Sequence, residues 1–244
     1  MSLFKTITAV SALALLPVAA HCAPVLYYGQ NNAGTENAAI ISARTNFFAA
    51  LAGSVGTETF ETLAVGASSP IALTFPGAGT ATLSGNGSVT TGNNSGAVAH
   101  SGVKYLLTIT GSGGNEFRID FSAPVAAFGF FGSDIGDSGS NLTLRYTTAG
   151  GTFDSKVPYD ANPGLANGNL LFYGLIDTAN PFTSIQFLST ASGDFFGFDD
   201  FTIASQAQVV NPPTTGVPEP ESVALLGAGL AGLVAVRRRR VAVA

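Results

Sequence analysis

Apolar and polar residues follow one another along this chain in three successive patterns, and each pattern predicts a different kind of element. At the start Lys5 sits in a short polar opening, Ile7 to Leu16 run apolar, and Pro17-Val18-Ala19-Ala20 closes the run with small residues. That order predicts a secretory signal peptide over residues 1–20, handled by the secretion machinery and cut by signal peptidase after Ala20. Pro17 stops the apolar run from continuing as a helix of the mature domain. After a short segment, Pro24 to Tyr28, the second pattern begins. Ile40, Ile41, Phe47, Phe48 and Leu51 recur at spacings of seven and four, which predicts one amphipathic helix over roughly 36–52. Gly53 is placed to end it, and its apolar stripe is expected to pack across a sheet.

From Thr57 the third pattern takes over, with short β-rich runs separated by Gly, Asn, Ser and Pro. Predicted strands are Thr59 to Leu63, Ile71 to Phe75, Ala81 to Ser84, Val103 to Thr110, Glu116 to Phe121, Ala126 to Gly132, Leu142 to Thr147, Gly151 to Val157, Leu170 to Ile176, Ser184 to Leu188 and Gly197 to Ile203. Several alternate, as in Phe117-Arg118-Ile119-Asp120-Phe121, where one face is apolar and the other wet. Evenly spaced strands of this kind predict an all-β fold, a jelly-roll-like antiparallel β-sandwich over residues 24–204, with the single N-terminal helix against it. A polar, proline-bearing linker is expected over 205–216.

Composition agrees with this reading. Hydrophobic residues make up 46% of the chain and charged ones only 10%, with 30 glycines, which favours strands and tight turns over charged helices. Net charge is −5, but the four arginines 237–240 and Lys5 sit at the ends. Between Pro24 and Gly216 five basic residues face thirteen acidic ones, a net of −8, so phosphate backbones are repelled and nucleic-acid partners are disfavoured. Cys22 is the single cysteine, which excludes an intrachain disulfide and a cysteine-based metal cage, and His21 before it departs from the small residue that a lipoprotein signal requires.

The C-terminus carries the most specific motif. Val217-Pro218-Glu219-Pro220-Glu221-Ser222 precedes an uncharged stretch, Val223 to Val236, which ends at Arg237, Arg238, Arg239 and Arg240. This tail over 217–240 resembles the PEP-CTERM sorting domain of proteins exported by Gram-negative bacteria. The resemblance implies that Val217, Pro218, Glu219 and Pro220 are the recognition element and that the apolar stretch is a transmembrane helix held transiently in the inner membrane. It also implies that an exosortase-type transpeptidase cuts near the motif and passes the protein to the cell surface or beyond. Charge supports the same orientation, because an arginine block stays cytoplasmic. Fourteen residues make about 21 Å of helix, short of the roughly 30 Å hydrocarbon core, which suits a brief anchor. Gly227, Gly229 and Gly232 fit a dinucleotide-binding spacing but lack the strand before and the strand and acidic residue after, and read as small residues packing in a membrane helix.

Catalytic motifs are absent. No G-x-S-x-G and no H-E-x-x-H occurs, His100 is the one histidine of the mature domain away from its terminus, and its neighbour Ser101 does not make a dyad by adjacency. No catalytic residue is assigned, and the chain reads as a non-enzyme. Oxygen ligands are more suggestive. Asp134 and Asp137 lie in a Gly- and Ser-rich loop, and Asp199 and Asp200 in the last strand, a donor set that suits Ca²⁺ as a structural cofactor. Phe60-Glu61 and Phe198-Asp199-Asp200-Phe201 resemble the first and last strands of jelly-roll carbohydrate-binding modules, which implies that Glu61, Asp199 and Asp200 share a calcium. The leading functional expectation is an adhesive or scaffolding surface or extracellular-matrix protein with extracellular polysaccharide as partner. A lectin-like carbohydrate-binding module, with tyrosines 27, 28, 105, 146, 159 and 173 as stacking candidates, is the alternative, and a glycan-active hydrolase the third.

Overall fold

A computed structural model describes residues 24–111, 117–136, 142–158, 168–189 and 193–210. The segment 1–20, where a signal peptide is expected, and the tail over 217–240 lie outside them. The described elements run β1 (Val25–Asn31), α1 (Ala38–Ala49), β2 (Thr57–Glu58), β3 (Ile71–Phe75), β4 (Gly79–Ser84), β5 (Ser88–Thr91) and β6 (Lys104–Ile109). They continue with β7 (Arg118–Val125), β8 (Ala127–Ser133), β9 (Leu142–Thr148), β10 (Gly151–Lys156), β11 (Leu170–Ile176), β12 (Phe182–Ser189) and β13 (Phe195–Ala204).

Two antiparallel sheets form. One has the order β1-β11-β8-β13-β6-β5 with β2 also on β13, and the other the order β10-β9-β12-β7-β4-β3. From β6 onward the chain alternates between sheets, except at the β9–β10 hairpin. The result is β6-β13-β8-β11 facing β7-β12-β9-β10, the strand order of a jelly roll. Period-two alternation supplies the core: Ile71, Leu73 and Phe75 of β3, Leu144 and Tyr146 of β9, and Phe128 and Phe130 of β8 all point between the sheets. β8 and β11 are buried along their whole length, because their outer faces lie under α1 and, at Phe131 and Ser133 of β8, under the loop that carries Val98 and His100.

Helix α1 starts where the Asn37 side chain accepts the Ile40 amide at 3.0 Å, an N-cap that satisfies one of the first-turn donors. It ends at Ala49, before the expected stop at Gly53. Its buried face is Ile40, Ala43 and Phe47, continued by Ala50 and Leu51 beyond the helix end, whereas Ile41 and Phe48 of the expected stripe are 45% and 37% exposed. The sheet explains this choice. Gly174 of β11 and Gly129 of β8 are cross-strand partners, and together they make a notch under the Phe47 ring. A Cβ at Gly174 would lie 2.6 Å from Phe47 Cδ2, and one at Gly129 2.8 Å from Phe47 Cε1, distances no side chain tolerates. The helix face of Ile40, Ala43 and Phe47 therefore sits closely on a glycine floor, with the Phe47 ring meeting Tyr27 and Phe172 edge-on, both at 5.6 Å.

Four sequence expectations change. The first strand is Val25–Asn31, longer than the short segment expected there. Only Thr57–Glu58 pairs with β13, and Phe60 at φ 60° turns the chain away, so Thr59 to Leu63 is not a strand. Ser88–Thr91 forms a strand where none was expected, although Val89, Thr90 and Thr91 are β-branched. Residues 205–210, expected to open a linker, are docked instead: Ala52 N–H donates to the Gln208 carbonyl at 2.8 Å, Val210 N–H to the Ala50 carbonyl at 3.0 Å, and Gln208 Nε2 to the Pro76 carbonyl at 2.9 Å. The fold thus runs past Ala204 to Val210. Among the described residues no helix is long and apolar enough to cross a membrane.

Candidate functional site

The last strand carries a break in its own alternation. Phe196 and Phe198 enter the core, and then Phe201 and Ile203 do, so the inward parity slips by one between them. Its pairing with β8 slips at the same place: Asp199 faces Phe131 and Thr202 faces Gly129, leaving Asp200 and Phe201 opposite Phe130 alone. This is a β-bulge, and Asp200 takes its extra position at φ 51°, a region Asp enters more readily than most residues. On the other edge of β13, β6 pairs as far as Phe198 and β2 begins at Phe201, so the bulge falls in a gap of the ladder.

The loop between β5 and β6 fills that gap through the two aspartates. Asp199 Oδ2 accepts the His100 and Ser101 amides, both at 2.9 Å, and Asp199 Oδ1 accepts the Asp200 amide at 2.8 Å. Asp199 is 1% exposed, and burial pushes its carboxyl up to about 7, with the Asp200 charge adding to the rise and the amide donors opposing it. Asp200 takes the side chains: Ser101 Oγ donates to Oδ1 at 2.7 Å, and His100 Nδ1 lies 2.6 Å from Oδ2. His100 Nε2 lies 3.3 Å from Glu36 Oε1, which Arg44 of α1 pairs at 2.7 Å. The imidazole lies flat on the Phe131 ring at 3.3 Å, and the Arg44 guanidinium sits 5.8 Å from the same ring centre.

This cluster binds four pieces of chain together, the approach to α1, the β5–β6 loop, β8 and β13. It does not set up a nucleophile, because Ser101 donates to a carboxylate and not to the imidazole, and both ring nitrogens face carboxylates. Asp200→Asn keeps the left-handed backbone and an acceptor oxygen, so it is expected to melt within a few degrees of wild type. Asp200→Val places a β-branched residue at positive φ, at about 1–3 kcal/mol, and calorimetry on the pair separates the two contributions.

The structure places Glu61 in a turn and not in a strand. Its Oε1 accepts the Val103 and Lys104 amides at 2.7 and 2.6 Å, while Lys104 Nζ donates to the Glu61 and Leu63 carbonyls at 2.8 and 2.7 Å. Those amide bonds, with the Lys104 charge, hold the Glu61 carboxyl below its ordinary range. Glu61 and Asp199 therefore grip opposite ends of one segment, 100–104, as braces of its amides. Among the described residues no group of three or more His, Cys, Asp or Glu side chains is placed to hold a metal. Asp134 is fully buried at φ 64° and accepts the Gly168 amide at 2.9 Å, while Asp137 lies outside the described residues.

The tyrosine expectation also narrows. Tyr105, Tyr146 and Tyr173 are buried, Tyr159 lies outside the described residues, and only Tyr27 and Tyr28 are half-exposed. An open groove of ≈ 370 Å³ is lined by Pro24, Thr148, Phe153, Asp177 and Asn180 among others, and Asp177 Oδ1 there accepts the Ala179 and Asn180 amides at 3.1 and 2.9 Å.

Residues 216–240 match the PEP-CTERM protein-sorting motif, so the chain carries the C-terminal sorting signal of an exported protein. No curated protein matches the chain. Among solved structures it is similar to the C-terminal family 22 carbohydrate-binding module of Clostridium thermocellum Xyn10B, at 15% identity and a TM-score of 0.38 over 64% of this chain and 96% of that one. The xylan-binding module of Paenibacillus barcinonensis Xyn10C gives 16% identity and 0.38 over 64% and 96%. A cleaved adhesin domain of Lys-gingipain from Porphyromonas gingivalis gives 12% and 0.35 over 63% and 99%. The jelly-roll assignment rests on the strand order itself.

Proposed function

From a chain that carries a PEP-CTERM protein-sorting motif over residues 216–240, we propose an exported surface or extracellular-matrix protein that works by adhesion or scaffolding and not by catalysis. The tail is the observation that carries this reading. In it an exosortase-type transpeptidase cuts near Val217-Pro218-Glu219-Pro220, after Val223 to Val236 has held the chain briefly in the inner membrane with Arg237 to Arg240 on the cytoplasmic side. Extracellular polysaccharide is the partner that a surface scaffold of this kind would organise. The internal satisfaction of the Asp199–Asp200–His100 cluster supports a structural role for the side chains that chemistry would otherwise claim.

Fractionation of cells tests the sorting. Glu219→Ala, and separately deletion of Arg237 to Arg240, are expected to leave unprocessed protein at the inner membrane. Normal surface delivery of both variants would overturn the proposal. Release of reducing sugar from a polysaccharide by wild-type protein, lost in Asp200→Asn, would favour the hydrolase instead.

A further inference from the structure

The outer face of the β10-β9-β12-β7-β4-β3 sheet is polar and open, unlike the β1-β11-β8 part of its partner sheet, which α1 covers. Register lines up Asp154, Arg145, Gln186, Arg118 and Ser84 in one row across β10, β9, β12, β7 and β4. With neighbouring strands about 4.8 Å apart, the row is about 19 Å long. Arg145 forks onto Asp154, Nε to Oδ1 at 2.7 Å and Nη2 to Oδ2 at 2.8 Å. Arg118 closes on Asp120 with Nε shared between Oδ1 at 2.8 Å and Oδ2 at 2.9 Å and Nη2 donating to Oδ1 at 2.6 Å. These four side chains are 43–47% exposed, 44% and 47% for Arg118 and Asp120 and 43% and 45% for Arg145 and Asp154.

We propose that this face binds an extended, uncharged polysaccharide laid along the row, across the strands. The inference rests on the reading of the protein as a surface or matrix component and says where its polymer lies and of what class it is. Three observations select that occupant. Each fork fixes a planar guanidinium beside a carboxylate, so N–H donors and oxygen acceptors stand side by side at set positions. A sugar hydroxyl both donates and accepts, and a pair of neighbouring hydroxyls meets such a set of partners as a single ion does not. Charge decides between neutral and acidic polymers: the two forks cancel locally, whereas residues between Pro24 and Gly216 carry a net −8 that repels a polyanion. A second protein molecule is the poorer occupant, because the row holds no aromatic anchor of the kind on which protein interfaces depend. The same lack of ring stacking makes single contacts weak, and many copies on one surface would act together through multivalency.

Affinity electrophoresis of the full chain tests this, with hydroxyethylcellulose, dextran and galactomannan as neutral polymers and alginate as the acidic one. Wild type is expected to be retarded by at least one neutral polymer, and the double variant Arg118→Gln with Arg145→Gln to require about tenfold more polymer for the same retardation. Ile41→Ser, on the exposed face of α1, is the control expected to migrate as wild type does, and melting curves check that all variants are folded. Absence of retardation in every neutral gel, equal retardation of wild type and double variant, or retardation by alginate alone would each overturn the proposal. None of these outcomes touches the delivery of the Glu219 and arginine-deletion variants, so the sorting proposal stands or falls separately.

Discussion

Gly174→Val is expected to unseat α1 and to lower the melting temperature by on the order of 10 °C, an overpacking cost of about 3 kcal/mol in a domain of this size. The reason is the 2.6 Å approach of the missing Cβ to Phe47 Cδ2, with the paired Gly129 closing the same notch at 2.8 Å. Phe47 is fully buried, and neither the sheet below nor the helix backbone above leaves it room to move. Phe47→Ala is expected to cost about 3–5 kcal/mol by cavity formation. The double variant should lose less than the sum, because truncating the ring removes the atoms that the valine strikes. Calorimetry gives the melting temperatures, and far-ultraviolet circular dichroism reports whether helix is lost. An unchanged melting temperature in Gly174→Val would mean that the helix does not depend on the notch.

Asp199→Ala is expected to cost at least as much. It strips the acceptor from the His100, Ser101 and Asp200 amides inside a ladder gap, at about 1–3 kcal/mol for each donor left unpaired. The carboxyl also predicts a pH dependence. Its pKa is about 7 in the fold against an ordinary 3.8, so between those values the native state holds a proton that the unfolded chain has released. The stability this contributes is therefore complete below pH 3.8 and is lost as pH rises to about 7, with a slope of up to about 1.4 kcal/mol per pH unit. Wild type is expected to lose stability relative to Asp199→Asn across that window and to track it above. Parallel melting profiles for the two proteins from pH 4 to pH 8 would remove the assignment.

Much of the fold was legible because the information was local. Alternation placed β3 on its bounds and β9 within a residue of its end, and the continuous apolar run Leu170–Ile176 placed β11 on its bounds. The bulge was also written in the sequence, since Phe196, Phe198, Phe201 and Ile203 cannot all face one side of an unbroken strand. The helix stripe misled because Ile41 and Phe48 stand one position, about 100° of helix, round from Ile40 and Phe47, and only the face of Ile40, Ala43 and Phe47 docks. Phe47 found two glycines from strands more than eighty residues away. Glu61, Asp199 and Asp200 stood out in the sequence as candidate calcium ligands, whereas the partners of Glu61 and Asp199 include backbone amides of 100–104, which no side-chain motif reports, and Asp200 takes the His100 and Ser101 side chains. Glu36 and His100 stood 64 residues apart with no spacing rule to join them.

The place of β13 in its sheet has a mechanical consequence. It is the last strand before the strap of 205–210, and it lies inside the sheet, with β8 on one side and β6 and β2 on the other. A tether pulling on the C-terminal end of the domain would first have to peel the strap from Ala50 and Ala52, and would then haul on a strand clamped along both edges. Tension applied there meets shear across two ladders at once, where a load on an outermost strand would open a single ladder like a zip.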